Sequence, residues 1–276
     1  MTRRQLLILA ALTLPAACKP VGLPKVRGPR KKGLCLTTKK RPPQELAKFL
    51  KSVDARWLYN WNLVPPDALL AGVEYIPMIY GGSFGVDKAL ARLKSQPTVR
   101  GRGELLSFNE PDHHKQGNTT VEKALEEWPK LEATGLRLGS PACVHPDNEW
   151  MKAFMKGVDE RGLRVDFICM HSYGGPNADS LVKRIEQVHA LYKRPIWITE
   201  FAVGDWKAKS PEANCHAPGK IAEFVAELLP RLEAMDIVER YCWFHGGVKS
   251  NALGTSALFN PDGSLTVVGE AYRSVG

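Results

Sequence analysis

The sequence predicts an α/β fold, a single (β/α)8 TIM barrel, and three observations predict it. Eight short, nearly continuous apolar runs alternate with amphipathic segments from about residue 33 onward. Runs of that kind are strands buried on both faces, and helical crossovers make them parallel. Eight such units in roughly 245 residues are the size of one closed barrel. An open doubly wound sheet normally announces a glycine-rich phosphate turn after its first strand, whereas here the first run leads into "TTKKRPP".

The elements follow in order. "GLCLT" (33–37) is the first strand, and "PQELAKFLKSV" after it sets Leu46, Phe49, Leu50 and Val53 on one helical face. "RWLYN" (56–60), "EYIPMIY" (74–80), "ELLSF" (104–108) and "RLGSPA" (137–142) are the second to fifth strands; "DFICMH" (166–171) and "PIWITE" (195–200) are the sixth and seventh. "KIAEFVAELLPRLEAM" forms a helix with Ile221, Phe224, Val225, Leu228 and Leu232 inward, and "RYCWF" (240–244) closes the set.

Ahead of the barrel, "MTRRQLLILAALTLPAACKP" carries two arginines, an apolar run from Leu6 to Leu14 and small residues up to Cys18. It is too short to span a bilayer and reads as an export signal over residues 1–18. The Arg3-Arg4 pair resembles a bacterial twin-arginine signal, and "LPAAC" resembles a lipoprotein box that would acylate Cys18. Residues 19–32 read as a basic linker and 33–276 as the catalytic domain. The expected location is outside the bacterial cytoplasm: periplasmic, secreted or lipid-anchored.

Net charge is +9, but its distribution argues against nucleic acid. Eleven of the 38 Lys and Arg fall in residues 1–41, which hold no acid, so the remaining 27 face all 29 acids and the body is slightly acidic. Of six cysteines, Cys35, Cys143, Cys169 and Cys242 sit in strand-like runs and read as small hydrophobes. Neither CxxC nor HExxH spacing occurs, so no metal site and no cofactor is expected.

Function in a barrel collects where the carboxyl ends of the strands meet their loops. Glu110 lies just past the fourth strand and Glu200 ends the seventh, across the barrel. Two carboxylates at one mouth are the inventory of glycosidic hydrolysis: one protonates the leaving oxygen, the other attacks the anomeric carbon or activates water. Trp57, Tyr59 and Trp61 alternate along the second strand and share one face. With Trp206 and Trp243 they are expected to wall a groove, since flat sugar faces stack on aromatic rings. His113 and His114 read as residues of a polar loop.

"SFNEP", "WITEF", "WLYNWN" and "IPMIYGG", in this order and spacing, resemble family 128 of the glycoside hydrolases, a (β/α)8 family of clan A acting on β-1,3-glucans. The resemblance runs from about residue 33 to the end. It implies that Glu110 is the general acid/base and Glu200 the nucleophile of a double displacement with retention. It implies further that Asn109 bonds the sugar 2-hydroxyl, and that Tyr173 or His171 of "CMHSYGG" orients Glu200. The expectation is an endo-acting, monomeric β-1,3-glucanase. Two alternatives are a clan-A glycosidase on β-1,4-glucan or mannan and a noncatalytic β-glucan-binding lipoprotein; two carboxylates that must be desolvated speak against the last.

Overall fold

The structure, a computed structural model, describes residues 31–37, 42–66, 72–81, 85–95 and 103–275. The expected export signal, Cys18 and most of the expected linker lie outside the described residues.

Each expected strand is found. They are β1 (Lys32–Cys35), β2 (Trp57–Tyr59), β3 (Glu74–Tyr75), β4 (Glu104–Asn109), β5 (Arg137–Ala142), β6 (Ile168–Ser172), β7 (Ile196–Phe201) and β8 (Val238–Phe244). The described helices are α1 (Pro43–Ser52), α2 (Val86–Lys94), α3 (Val121–Glu132), α4 (Glu149–Glu160), α5 (Ala178–Tyr192), α6 (Pro218–Ala234) and α7 (Val267–Arg273). A six-stranded parallel sheet runs β3-β2-β1-β8-β7-β6, and β4 pairs with β5. Single parallel bridges, Met78 with Leu106 and Gly139 with Phe167, join the two sheets at both seams in the order of a (β/α)8 barrel. The third strand's ladder is shorter than its apolar run, because beyond Tyr75 only the bridge at Met78 continues it.

Side chains alternate between two clusters, as the strand period requires. Leu34, Leu58, Leu105, Leu138, Ile168, Ile198 and Trp243 face outward under the helices, joined by Leu46, Phe49 and Leu50 of α1 and Ile221, Val225 and Leu228 of α6. Cys35, Trp57, Tyr59, Met78, Leu106, Phe167, Cys169, Trp197 and Cys242 fill the interior. The five described cysteines are free thiols, and only Cys215 is exposed.

Two of the expected groove residues are core. Trp57 is fully buried low in the barrel, beside Trp197 at 5.6 Å between ring centroids, with its Nε1 donating to the Lys31 carbonyl. Room for it comes from Gly33, its register partner on β1, where a Cβ would sit 2.3 Å from the indole. Trp243 is fully buried on the opposite face of β8, its Nε1 bonded to the Ser256 carbonyl. Its position in the strand alternation sends it toward α7, and the next residue, Phe244, turns to the cleft.

The expected linker also ends earlier than residue 32, since Lys32 opens β1. The Lys31 ammonium donates to the carbonyls of Leu232, Glu233 and Met235 at the end of α6. Lys32 does the same for Tyr272, Arg273 and Val275 at the end of α7. Cations suit the partial negative charge at helix C-termini. Burial nonetheless draws the Lys32 amine down to about 8.

Replacing Trp57 by Ala should lower stability by about 3–5 kcal/mol, the cost of emptying a large buried aromatic site. Chemical denaturation measures this. An unchanged midpoint would mean that the ring is not part of the core.

Candidate active site

At the carboxyl ends of the strands lies a cleft of about 570 Å³. Its walls include Trp61, Tyr80, Asn109, Glu110, His171, Tyr173, Glu200, Trp206 and Phe244. Both acids reach it through irregular strand ends. On β7, Trp197 faces the interior and Ile198 the helices, so strict alternation would turn Glu200 outward. The register shows one more residue on β7 than on β6 between Met170 and His171, and one more than on β8 between Tyr241 and Trp243. Thr199 is that extra residue, and the bulge re-aims Glu200 into the mouth. On β4 the register shift after Ser107, where β4 advances two residues to one on β5, returns Asn109 to the side of Leu106.

The apolar run of β4 stops at Glu110 because the backbone there turns left-handed, at φ 39°. Such a conformation costs roughly 1–3 kcal/mol for a residue with a side chain and persists where its surroundings impose it. Here the Glu110 N–H bonds to the Ala142 carbonyl at 2.7 Å, and the Glu110 carbonyl accepts from His113 at 3.0 Å. The loop then folds back so closely that Gly117 donates to the Asn109 carbonyl at 2.9 Å, where any Cβ would sit 2.2 Å from that oxygen. Trp61, past the end of β2, is also left-handed, at φ 60°.

Glu200 is 5% exposed and held by both oxygens. The Tyr59 hydroxyl and the Trp61 indole each donate to Oε1 at 2.9 Å, and the Tyr173 hydroxyl donates to Oε2. His171, 1% exposed, lies between the acids: Nδ1 is 3.1 Å from Glu110 Oε1, and Nε2 is 3.4 Å from Glu200 Oε1. One ligand atom from each of Glu110, His171 and Glu200 lies within 4.8 Å of the others. Among the described residues this trio is also the grouping that could hold a cation, which would have to compete with the donors around Glu200.

Burial pulls the His171 imidazole down, but Glu200 and Glu110 together outweigh it and hold the ring above its ordinary value. Burial and the Glu200 charge push the Tyr59 and Tyr173 phenols well up, so both remain proton donors.

Of the residues read from the sequence, Asn109, Glu110, Trp61, His171, Tyr173, Glu200 and Trp206 line the cleft, and Tyr59 supports Glu200 from below. Trp57 and Trp243 do not reach it. Trp206 is 66% exposed, and its ring meets Tyr173 edge-on at 5.7 Å. His113 lines the cleft, while His114 stacks on it outside. Sequence reasoning missed Phe244, whose ring centroid lies 5.7 Å from those of both Trp61 and Tyr173, and Gln116, which is joined to Tyr80 of "IPMIYGG" by a hydrogen bond. Strand alternation could have found Phe244, since it lies two residues past the inward Cys242. Gln116, in a loop, left no periodic signal.

Residues 33–272 match the family described as glycosyl hydrolase catalytic core. An endo-β-1,3-glucanase of glycoside hydrolase family 128, subgroup I, from Amycolatopsis mediterranei, solved with laminarihexaose, is 34% identical. The match covers 90% of this chain and 100% of that one, with a TM-score of 0.76. A curdlan-specific exo-β-1,3-glucanase of subgroup III from Blastomyces gilchristii is 28% identical, with coverage of 89% and 98% and a TM-score of 0.66. Alkali-sensitive linkage protein 1 of Schizosaccharomyces pombe is 29% identical over 227 residues. That match takes in 79% of this chain but only 40% of the curated relative.

A histidine whose titration is raised by two carboxylates contributes stability that is fully present below its unfolded value, near 6.5, and is lost as pH rises through its higher folded value. In Glu200→Gln the His171 midpoint should therefore fall, as read by NMR titration of the ring. An unmoved midpoint would show that the carboxylate does not hold the proton.

Proposed function

Because the chain belongs to glycoside hydrolase family 128, we propose that it is an endo-acting β-1,3-glucanase that works by double displacement with retention. The observation that carries the mechanism is the spacing of the two acids, with an oxygen of each within 4.8 Å on either side of His171. Retaining pairs stand about 5–5.5 Å apart, whereas inverting pairs leave roughly 6.5–9.5 Å for a water.

Glu200 is the nucleophile. Three donors fix both of its oxygens, so the carboxylate is oriented before substrate arrives. Glu110, less enclosed and facing the cleft, gives its proton to the glycosidic oxygen as Glu200 attacks the anomeric carbon. Water then attacks the glycosyl-enzyme, Glu110 takes its proton, and Glu200 leaves. Asn109, whose buried Oδ1 has no partner among the described residues, stands beside Glu110 to bond the 2-hydroxyl of the reacting sugar. His171 serves as a positioning residue that screens one carboxylate from the other.

Linkage and endo action rest on the relatives, since the subgroup I endo-enzyme is the more similar of the two glucanases in identity and TM-score. Export, with or without acylation at Cys18, rests on the sequence signals alone.

Incubation with linear β-1,3-glucan, mixed-linkage glucan, cellulose oligosaccharides and mannan should give products from β-1,3-linked substrates, with a β-anomer formed first. An α-anomer overturns retention, and activity confined to β-1,4-glucan or mannan overturns the linkage. Glu110→Ala should lower activity on polymer by roughly 10²–10⁴-fold, the usual worth of general acid catalysis. Azide should restore its turnover of aryl glycosides with a β-glycosyl azide as product; an α-azide would reverse the two roles.

A further inference from the structure

A second, smaller cavity of about 230 Å³ adjoins the cleft, and the two share Ser172, Gly174 and Arg184. It opens at the corner where β6 leads into α5. Leu181, Phe201 and Phe224 make its apolar floor, and Asn177 and Ser180 stand at its polar rim. The backbone between the two spaces is bare. A Cβ at Gly174 would meet nothing within 4 Å, and one at Gly175 would meet only the His216 ring, at 3.6 Å.

Arg184 reaches from α5 to this junction. Its Nη2 bonds Asp147 at 3.0 Å and lies 3.4 Å from His145 Nδ1, while its buried Nε has no partner among the described residues. The guanidinium is thus anchored by an acid outside the groove and holds more donors than the protein uses. An apolar floor under a rim of hydroxyl, amide and guanidinium groups matches a pyranose ring, which has apolar faces and an equator of hydroxyls.

We propose that this cavity is a distal glucosyl subsite of the same groove, entered over Gly174 and Gly175 and bounded by Arg184. The proposal rests on the β-1,3-glucanase reading and adds where a longer chain is held. Binding energy gathered far from the reacting centre can be used at that centre. Chains long enough to reach the cavity should then be cleaved with higher kcat/KM than chains that are not.

Ser180→Trp and Gly175→Phe put bulk into this cavity from residues that do not line the main cleft, whereas Ser180→Ala removes one rim hydroxyl and leaves the space open. Both bulky variants should lose about three- to tenfold in kcat/KM on long β-1,3-glucan, the worth of a good ring contact. Short oligosaccharides should be cut at the wild-type rate by all three variants, and on long glucan Ser180→Ala should lose less than either bulky variant. Equal losses on short and long chains, or none on either, overturn the subsite. Crystals of the wild-type chain soaked with a long β-1,3-gluco-oligosaccharide give a readout free of any folding defect: a sugar ring in the cavity supports the proposal, and an occupied cleft beside an empty cavity overturns it. A wild-type chain that cuts no β-1,3-glucan at all overturns the functional reading instead, and the subsite falls with it.

Discussion

A carboxylate taken out of water needs the protein to supply the donors that water would have given. Glu200 is that group, and much of the barrel mouth is arranged around it. Tyr59 reaches it from the interior face of β2, Trp61 from the left-handed turn beyond that strand, and Tyr173 from the loop after β6. The phenols can serve only while protonated, and burial beside the acid keeps them so. His171 extends the arrangement to Glu110, so the two acids share one buried ring.

The opposite end of the barrel also concentrates charge, with a different outcome. Glu74, Glu104, Arg137, Glu239 and Arg240 all stand at the starts of strands. Arg240 pairs with Glu74 at 2.7 Å and lies 4.5 Å from the Trp197 ring centroid, while Trp197 Nε1 donates to Glu239 at 2.8 Å. Burial pushes the Glu104 carboxyl up despite the nearby arginines. With Trp57 and Trp197 above it, this layer closes the floor without opening a cleft. Charged side chains at both ends are therefore legible as chemistry only where the strands deliver them into an open space.

The fold was readable because a β/α barrel repeats one hydrophobic signal eight times, and each repeat left its apolar run in the chain. The acids were readable because each ends such a run. The aromatic wall was less so, since alternation says which residues share a face but not how deep along the barrel each one lies. Trp57, Tyr59 and Trp61 do share the interior face, yet they span it from floor to mouth. Gly33, which makes room for the lowest ring, sits on a neighbouring strand, and its partner cannot be identified without the register. Trp243 was misread by a single step of parity. The bulge at Thr199 hides from sequence for the same reason, because an extra residue is defined only against the strands beside it.

The two lysines that begin the barrel carry a consequence for how the chain is made. Lys31 and Lys32 bond carbonyls more than 200 positions later, and β1 has β8 as one of its two neighbours. On a ribosome the first strand therefore waits, with an unpaired edge and two unanswered ammonium groups, until β8 and α7 have been made. Contacts so distant in sequence make closure slow and leave partly built chains prone to association. Completion of this barrel thus waits on its last elements, and the final turn of α7 is as much a part of the first strand's environment as its immediate neighbours are.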